Sequence, residues 1–380
     1  MSHMKIAVLT RRFGYNFGSS LQAYAIKRML ESFADSVHIL NYDEFSAHPS
    51  WYVKPWLKKN FGKIISKFFP NANCSKKFIS NYMQEKKFNA FDQKYICSNR
   101  RILRTSFALR KETKKYDCIV CGSDQIWNPK TFDKNYFLAF TKNSKIRKVS
   151  YATSFGVPSS LRLNGKIRKY LNDFFAISVR EDDGCKIVKN NLGKDVPSVL
   201  DPTLMIPMAE WRQLEKEIEV PNSYILCYFL ENLQPEQENV IHEFIQSLKN
   251  KTSLPIVNIT TPRYHNLNDE MQLNLVGPQE FLYAIRNASY VITNSYHASI
   301  FSNLNEKEFF VFPKHLDSFS SNENSRFYSL LKKIGLLDRL VKDLKVNLLN
   351  CKIDYKSVYE KLNVEKEMSC KYLRTALEKF

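Results

Sequence analysis

A histidine between a short β-rich run and a helix-like segment is the residue best placed for chemistry. Tyr290-Val291-Ile292-Thr293 is apolar and β-prone, Asn294-Ser295-Tyr296 is a polar corner, and His297 opens a helical pattern reaching about Asn303. Phe309–Phe312 is β-prone again. Imidazole exchanges protons near neutrality. Open α/β sheets bind ligands where strand C-termini meet helix N-termini. His297 is therefore a candidate general acid or base, the competing reading being a residue that only caps or packs. Asn294, Ser295 and Tyr296 beside it are candidates to position a ligand.

A second corner is as dense. Gly122-Ser123-Asp124-Gln125-Ile126-Trp127-Asn128-Pro129 follows the strand-like run Asp117–Cys121 and packs a glycine, polar side chains and an indole into eight residues. Such density belongs to ligand loops more often than to generic turns. Cys118 and Cys121 have metal or redox spacing, but no second cysteine pair and no histidine partner accompanies them, so they read as buried strand residues.

The elements that must position these corners form two βα series. Lys5–Thr10 is a strand, Arg11–Gly18 a loop, and Leu21, Ala25, Met29 and Phe33 recur at helical spacing before a second strand at Val37–Asn41. Ser19 or Ser20 is the expected helix cap. Gly14 to Gly18 does not make the Gly-x-Gly-x-x-Gly dinucleotide fingerprint, so the loop reads as an anion approach or a plain turn. Further strands are expected at Arg147–Ser154, Ala176–Glu181 and Val196–Leu200. A hinge is placed between Asp201 and Val220. Beyond it come a strand at Ser223–Leu230, a helix near Pro235–Leu248, a strand at Pro255–Thr260, a polar loop at Thr261–Leu275 and a helix at Gln279–Ala288. The expected fold class is α/β, with two Rossmann-like domains facing a cleft. Their bounds are 4–205, with a basic aromatic insertion at about 45–115, and 220–325. Helices in 326–380 are expected to return to the first domain.

Composition narrows the function classes. The chain has 380 residues, 44% of them hydrophobic, which suits a folded two-domain protein. No apolar run is long enough to span a membrane. The N-terminus enters a strand without a secretory leader, so the eight cysteines are expected as reduced thiols in a cytoplasmic protein. The formal charge is +19, and Trp51–Lys115 holds 17 Lys and Arg against three acids. Within it Trp51, Trp56 and Phe61 interleave with Lys58, Lys59 and Lys63, as in an interfacial helix against lipid phosphate. A helix packed on the protein with its lysines in water is the alternative. The excess also raises a nucleic-acid binder, but no module for that is apparent, and no nucleic-acid partner is expected.

The residues of both corners, with Ser178-Val179-Arg180-Glu181, Asp201-Pro202-Thr203 and Asn16-Phe17-Gly18-Ser19, stand in an order that resembles the polysaccharide pyruvyl transferases. The similarity covers roughly Met4 to Leu340. It implies a GT-B-like fold and transfer of the pyruvyl group of phosphoenolpyruvate to a saccharide, usually as a cyclic ketal, in capsule or exopolysaccharide synthesis. Members often carry Arg-Leu-His where this chain has Ser295-Tyr296-His297, so one arginine does not carry over.

That chemistry needs a proton at C3 of the donor, stabilisation of positive charge at C2, removal of hydroxyl protons, and cations for carboxylate and phosphate. His297 and Asp124 are the expected catalytic pair. Arg180, then Arg11 and Arg12, with Ser295 and Tyr296, are expected at the donor. Gln125, Trp127, Asn128, Asn16 and Asn294 are expected at the acceptor, since amides read hydroxyls and an indole face packs on a sugar ring. No cofactor or metal is expected. A polyprenyl-diphosphate-linked acceptor would place the protein peripherally at an anionic inner membrane face. The rival enzyme reading is a GT-B glycosyltransferase using a nucleotide sugar.

Overall fold

The computed structural model describes residues 4–12, 16–43, 83–97, 101–142, 144–230, 235–259, 271–313, 324–341 and 351–378. Their strands form two all-parallel sheets. The first has the order β2-β1-β3-β4, from Lys5–Leu9 (β1), Ser36–Ile39 (β2), Cys118–Cys121 (β3) and Arg147–Ser150 (β4). The second has the order β7-β6-β5-β8-β9, from Ile225–Tyr228 (β5), Ile256–Ile259 (β6), Met271–Leu273 (β7), Tyr290–Thr293 (β8) and Glu308–Val311 (β9). Parallel strands buried on both faces read as continuous apolar runs, and all four residues of β3, β5 and β6 are buried.

Helices cover these sheets: α1 (Phe17–Leu30), α2 (Ser106–Thr113), α3 (Gly165–Asn172), α4 (Asp182–Leu192), α5 (Met208–Leu214), α6 (Pro235–Thr252), α7 (Pro278–Asn287), α8 (Tyr296–Leu304), α9 (Ser325–Ile334) and α10 (Tyr355–Leu377). This is a GT-B-like pair of Rossmann-like units. Each sheet changes winding direction once, between β1 and β3 in the first and between β5 and β8 in the second. Crevices at such switch points are where doubly wound sheets bind ligands.

α1 joins the two halves. Phe17 stacks on Phe281 of α7 at 4.5 Å and meets Tyr228 of β5 edge-on. Further along, the Tyr24 hydroxyl donates to Glu210 of α5 (2.6 Å), and Arg28 reaches the same carboxylate. Helix α10 lies back on the first half: the Tyr372 hydroxyl donates to the Ser150 carbonyl, and the Leu200 amide donates to Ser369 Oγ.

Three local readings change. Asn16, not Ser19 or Ser20, caps α1, its Oδ1 accepting from the Ser19 amide. The runs at 176–181 and 196–200 extend the first sheet only through single bridges (Val149–Ala176, Thr153–Val179 and Val179–Ser198). Polar or charged side chains interrupt both runs, although the Arg180 amide still donates to the Thr153 carbonyl at 3.0 Å. Within the expected polar loop before Gly277, Met271–Leu273 forms the short, half-exposed edge strand β7, which among the described strands pairs with β6 alone. Trp51, Trp56, Lys58, Lys59, Phe61 and Lys63, the candidate membrane-facing residues, lie outside the described residues. No described helix is long and apolar enough to cross a membrane.

Candidate active site

The chain leaves β1 at Thr10 and turns into α1, and it leaves β3 at Gly122 into the Asp124 corner. Because β1 and β3 are neighbours, these exits meet: the Ser19 hydroxyl donates to Asp124 Oδ2 at 3.0 Å. Asp124 sits at φ 72°, a left-handed conformation uncommon outside glycine but tolerated by Asp. Its own Oδ1 accepts from the Gln125 amide at 2.8 Å, which favours that turn. Gly122 has φ +125°, and a Cβ there would come within 2.1 Å of the Tyr151 carbonyl oxygen, so only glycine lets β3 turn beside β4.

In the second sheet the exits of β5 and β8 are joined where the Leu230 amide donates to Asn294 Oδ1 (2.8 Å). Ser295 caps α8, accepting from the Ala298 amide. His297 therefore stands in the first turn of α8 and points across to the first half. A Cβ on Gly18 of α1 would lie 2.1 Å from His297 Nδ1, so the imidazole lies on the bare backbone of that glycine. On its other side, His297 Nε2 is 3.5 Å from Asp201 Oδ2, within ion-pair reach but without hydrogen-bond geometry.

Asp201 is the residue that binds the cluster together. It is 1% exposed, accepts from the Thr203 amide and hydroxyl, and receives Arg180 Nη1 at 2.8 Å. Arg180 Nη2 reaches Asp124 Oδ1 at 3.5 Å, and the guanidinium lies over the Tyr296 ring at 4.6 Å. One guanidinium thus spans two carboxylates while packing on an aromatic face.

These contacts set the protonation states. Burial by itself raises the Asp124 carboxyl, but Arg180, a positive His297, Arg326 and the Gln125 amide pull it down to about 2. Burial likewise opposes ionisation of Asp201, and His297, Arg180 and Thr203 outweigh it. Burial would lower Arg180, yet Tyr296 and the two aspartates hold it firmly charged. Glu181 goes the other way: burial raises it, and Arg180 and Ser154 only partly compensate. Burial also lifts the Tyr296 phenol far above its ordinary range, keeping its hydroxyl protonated.

The family model for polysaccharide pyruvyl transferases matches residues 16–314. The chain belongs to that family. No curated protein matches the chain. Among solved structures, the UDP-GlcNAc 2-epimerase of Methanocaldococcus jannaschii in complex with UDP-GlcNAc and UDP is similar at TM-score 0.51 and 15% identity. The similarity covers 95% of this chain and 99% of that one. A putative UDP-N-acetylglucosamine 2-epimerase from Listeria monocytogenes is similar at TM-score 0.51 and 9% identity, covering 97% and 91%. At these identities the likeness concerns the fold.

In this polysaccharide pyruvyl transferase, the sequence candidates divide into those the fold gathers and those it directs elsewhere. His297, Asp124, Arg180 and Tyr296 come together. Asn294 and Ser295 lie beside them in the β8–α8 corner, and Asn294 Nδ2 has no hydrogen-bond partner among the described residues. Gln125 is adjacent, its Nε2 also without a described partner. Asn16 is occupied as the α1 cap, and Asn128 caps the 3-10 turn Pro129–Thr131 through the Lys130 amide.

Trp127 requires a correction. It is 1% exposed, stacks on Phe137 and donates Nε1–H to the Tyr136 carbonyl, so it is a core residue with no face for a sugar. Arg12 pairs with Asp92 and Asn41, tying β1's exit to the helical turn Asp92–Ile96. Arg11 reaches Thr131 and lies over Tyr136. Arg180 is not an open clamp for an external anion, because its two terminal nitrogens face carboxylates of the chain. Ser19, Gly18, Asp201 and Glu181 were not picked out as site residues. Asp201 and Gly18 each have a signal in a run that resembles the family, Asp-Pro-Thr for one and Asn-Phe-Gly-Ser for the other, but neither run says what the residue touches.

Proposed function

We propose that this pyruvyl transferase moves the pyruvyl group of phosphoenolpyruvate onto two hydroxyls of a saccharide, forming a ketal and releasing phosphate. What supports this reading most is His297: a proton-exchanging group from one half, set between a buried carboxylate and a glycine of the other, at facing switch points. A protonated His297 delivers its proton to donor C3, leaving positive charge at C2. The ionised Asp124 and Asp201 stabilise both that charge and the imidazolium.

The first acceptor hydroxyl then adds to C2, and neutral His297 takes its proton. The C2–O bond to phosphate breaks, the second hydroxyl adds, and its proton leaves with the phosphate. A carboxyl held near 2 binds a proton too weakly to keep one. Asp124 is thus better suited to orienting the attacking hydroxyl and stabilising charge than to serving as the proton store. His297 is the group that cycles.

The acceptor we infer is a lipid-linked repeat-unit intermediate of a capsule or exopolysaccharide. Support comes from the basic, aromatic composition of 51–115, which suits an anionic membrane face. Failure to float with anionic liposomes, under conditions where a known peripheral protein does, would remove that support. The donor is tested by thermal shift of the purified protein with phosphoenolpyruvate beside UDP-, GDP- and CMP-sugars. Stabilisation by phosphoenolpyruvate, lost in His297→Ala, is the expected result. Stabilisation by a nucleotide sugar alone would make the protein an ordinary glycosyltransferase.

A further inference from the structure

We propose that Glu181 is a positioning residue of this site: through Ser154 and Phe155 it holds in place the corner that presents Asp124. Within the corner, the Gln125 and Ile126 amides donate to Asp124 Oδ1 and to the Asp124 carbonyl, which closes the turn on itself. Its backbone is fastened to the chain leaving β4 by two bonds to one residue. The Ser154 amide donates to the Asp124 carbonyl at 2.9 Å, and the Trp127 amide donates to the Ser154 carbonyl at 3.2 Å. Gly156 completes the seat, since a Cβ there would come within 2.6 Å of Gln125 Nε2.

Ser154 is held in turn by Glu181. The Ser154 hydroxyl donates to Glu181 Oε1 at 2.8 Å, and the Phe155 amide donates to the same oxygen at 3.1 Å. Just before them, the Thr153 carbonyl accepts from the Arg180 amide at 3.0 Å, so Arg180-Glu181 grips three consecutive residues. Ser154, Phe155 and Glu181 are all 0% exposed. Solvent does not replace a lost acceptor at such a depth, and a buried donor left unpaired is costly. Two adjacent residues thus act on Asp124 by different routes. Arg180 Nη2 reaches its carboxylate, whereas Glu181 sets the backbone that carries it.

This role needs an acceptor oxygen at Oε1 and nothing more. Glu181 Oε2 has no hydrogen-bond partner among the described residues. In Glu181→Gln the amide oxygen can accept both bonds, and the amide nitrogen falls where there is no bond to lose. Glu181→Leu keeps roughly the same bulk and removes the acceptor.

The consequence for catalysis rests on the pyruvyl reading, but support of the corner does not. Wild type, E181Q, E181L and Ser154→Ala would be compared by hydrogen exchange of the peptide covering 124–128, and by kcat and KM for phosphoenolpyruvate. In E181L, exchange over 124–128 should be at least about tenfold faster, with β1 and β5 unchanged, whereas a general loss of stability would raise exchange in all of them. Its kcat should fall by roughly ten- to a hundredfold with donor KM little altered. E181Q should exchange as wild type does and keep kcat within about threefold. If E181L does not fold, S154A decides, and should show the same local acceleration with a smaller loss of kcat. E181Q as impaired as E181L would give the residue a role in charge or proton transfer and overturn the proposal. Unchanged exchange over 124–128 in both E181L and S154A would overturn it as well. Local acceleration in these variants, in a protein that transfers no pyruvyl group to any acceptor, would keep Glu181 as the support of the corner and overturn the pyruvyl reading instead.

Discussion

Gly18→Ala should inactivate the enzyme while leaving the fold nearly as stable. The new methyl carbon would lie 2.1 Å from His297 Nδ1, 2.5 Å from Cγ and 2.9 Å from Cβ. Non-bonded heavy atoms settle at about 3.5 Å, so the imidazole must recede by roughly 1.4 Å. A displacement of about 1 Å at a reacting group can cost on the order of a hundredfold in rate. Stability has opposed terms. Overpacking costs roughly 1–3 kcal/mol, whereas replacing a helical glycine by alanine recovers up to about 1 kcal/mol. The assay is kcat/KM for phosphoenolpyruvate beside a thermal melt. The expected outcome is a loss of roughly a hundredfold with a melting point within several degrees of wild type. Activity within about threefold of wild type, in a protein of normal stability, would show that the imidazole need not rest on the α1 backbone, and the argument from Gly18 would fail.

Further outcomes follow from the same contacts. Asp124 titrates at about 2 in the fold against 3.8 ordinarily, so its contribution is complete above about pH 4 and lost as pH falls toward 2. Denaturant melts should show roughly 2 kcal/mol of acid destabilisation in that window for wild type and a shallower slope for Asp124→Asn. Glu181 carries the opposite sign, because a raised carboxyl weakens the fold as pH rises through its titration. Glu181→Gln should therefore be at least as stable as wild type at pH 7 and lose that advantage below about pH 4, followed by the same melts. Trp127→Ala should cost roughly 3–5 kcal/mol of stability, as a buried core truncation does. A Trp127→Phe protein of near-normal stability with a selectively raised acceptor KM would instead return Trp127 to the site.

The sequence carried the parts of this fold that depend on unbroken local pattern. Strands such as Cys118–Cys121 and Ile225–Tyr228 are uniformly apolar because both faces are buried, and the polar corners after β3 and β8 stand out against them. His297 was visible for that reason. Trp127 was not, since an indole in a polar corner reads alike whether it faces a ligand or turns beneath the loop onto Phe137. β7 was hidden because Met271–Leu273 is short and half-exposed, without the alternation or apolar run that marks a strand. Gly18 and Glu181 depend on neighbours far away in the chain, His297 for one and Ser154 for the other. No local spacing encodes such contacts. The place of Asp201 is similar: Asp-Pro-Thr serves equally as the cap of a short turn, and only the approach of Arg180 and His297 makes it part of the cluster.

The most direct test of the central claim is to follow phosphorus by NMR while the purified protein is incubated with phosphoenolpyruvate and a panel of lipid-linked and free oligosaccharide acceptors. Stoichiometric inorganic phosphate, appearing only with an acceptor and accompanied by an acid-labile gain of one pyruvyl group in the product mass, is the expected result. His297→Ala should abolish it. Phosphoenolpyruvate left intact with every acceptor, while a nucleotide sugar is consumed with release of its nucleotide, would contradict the account.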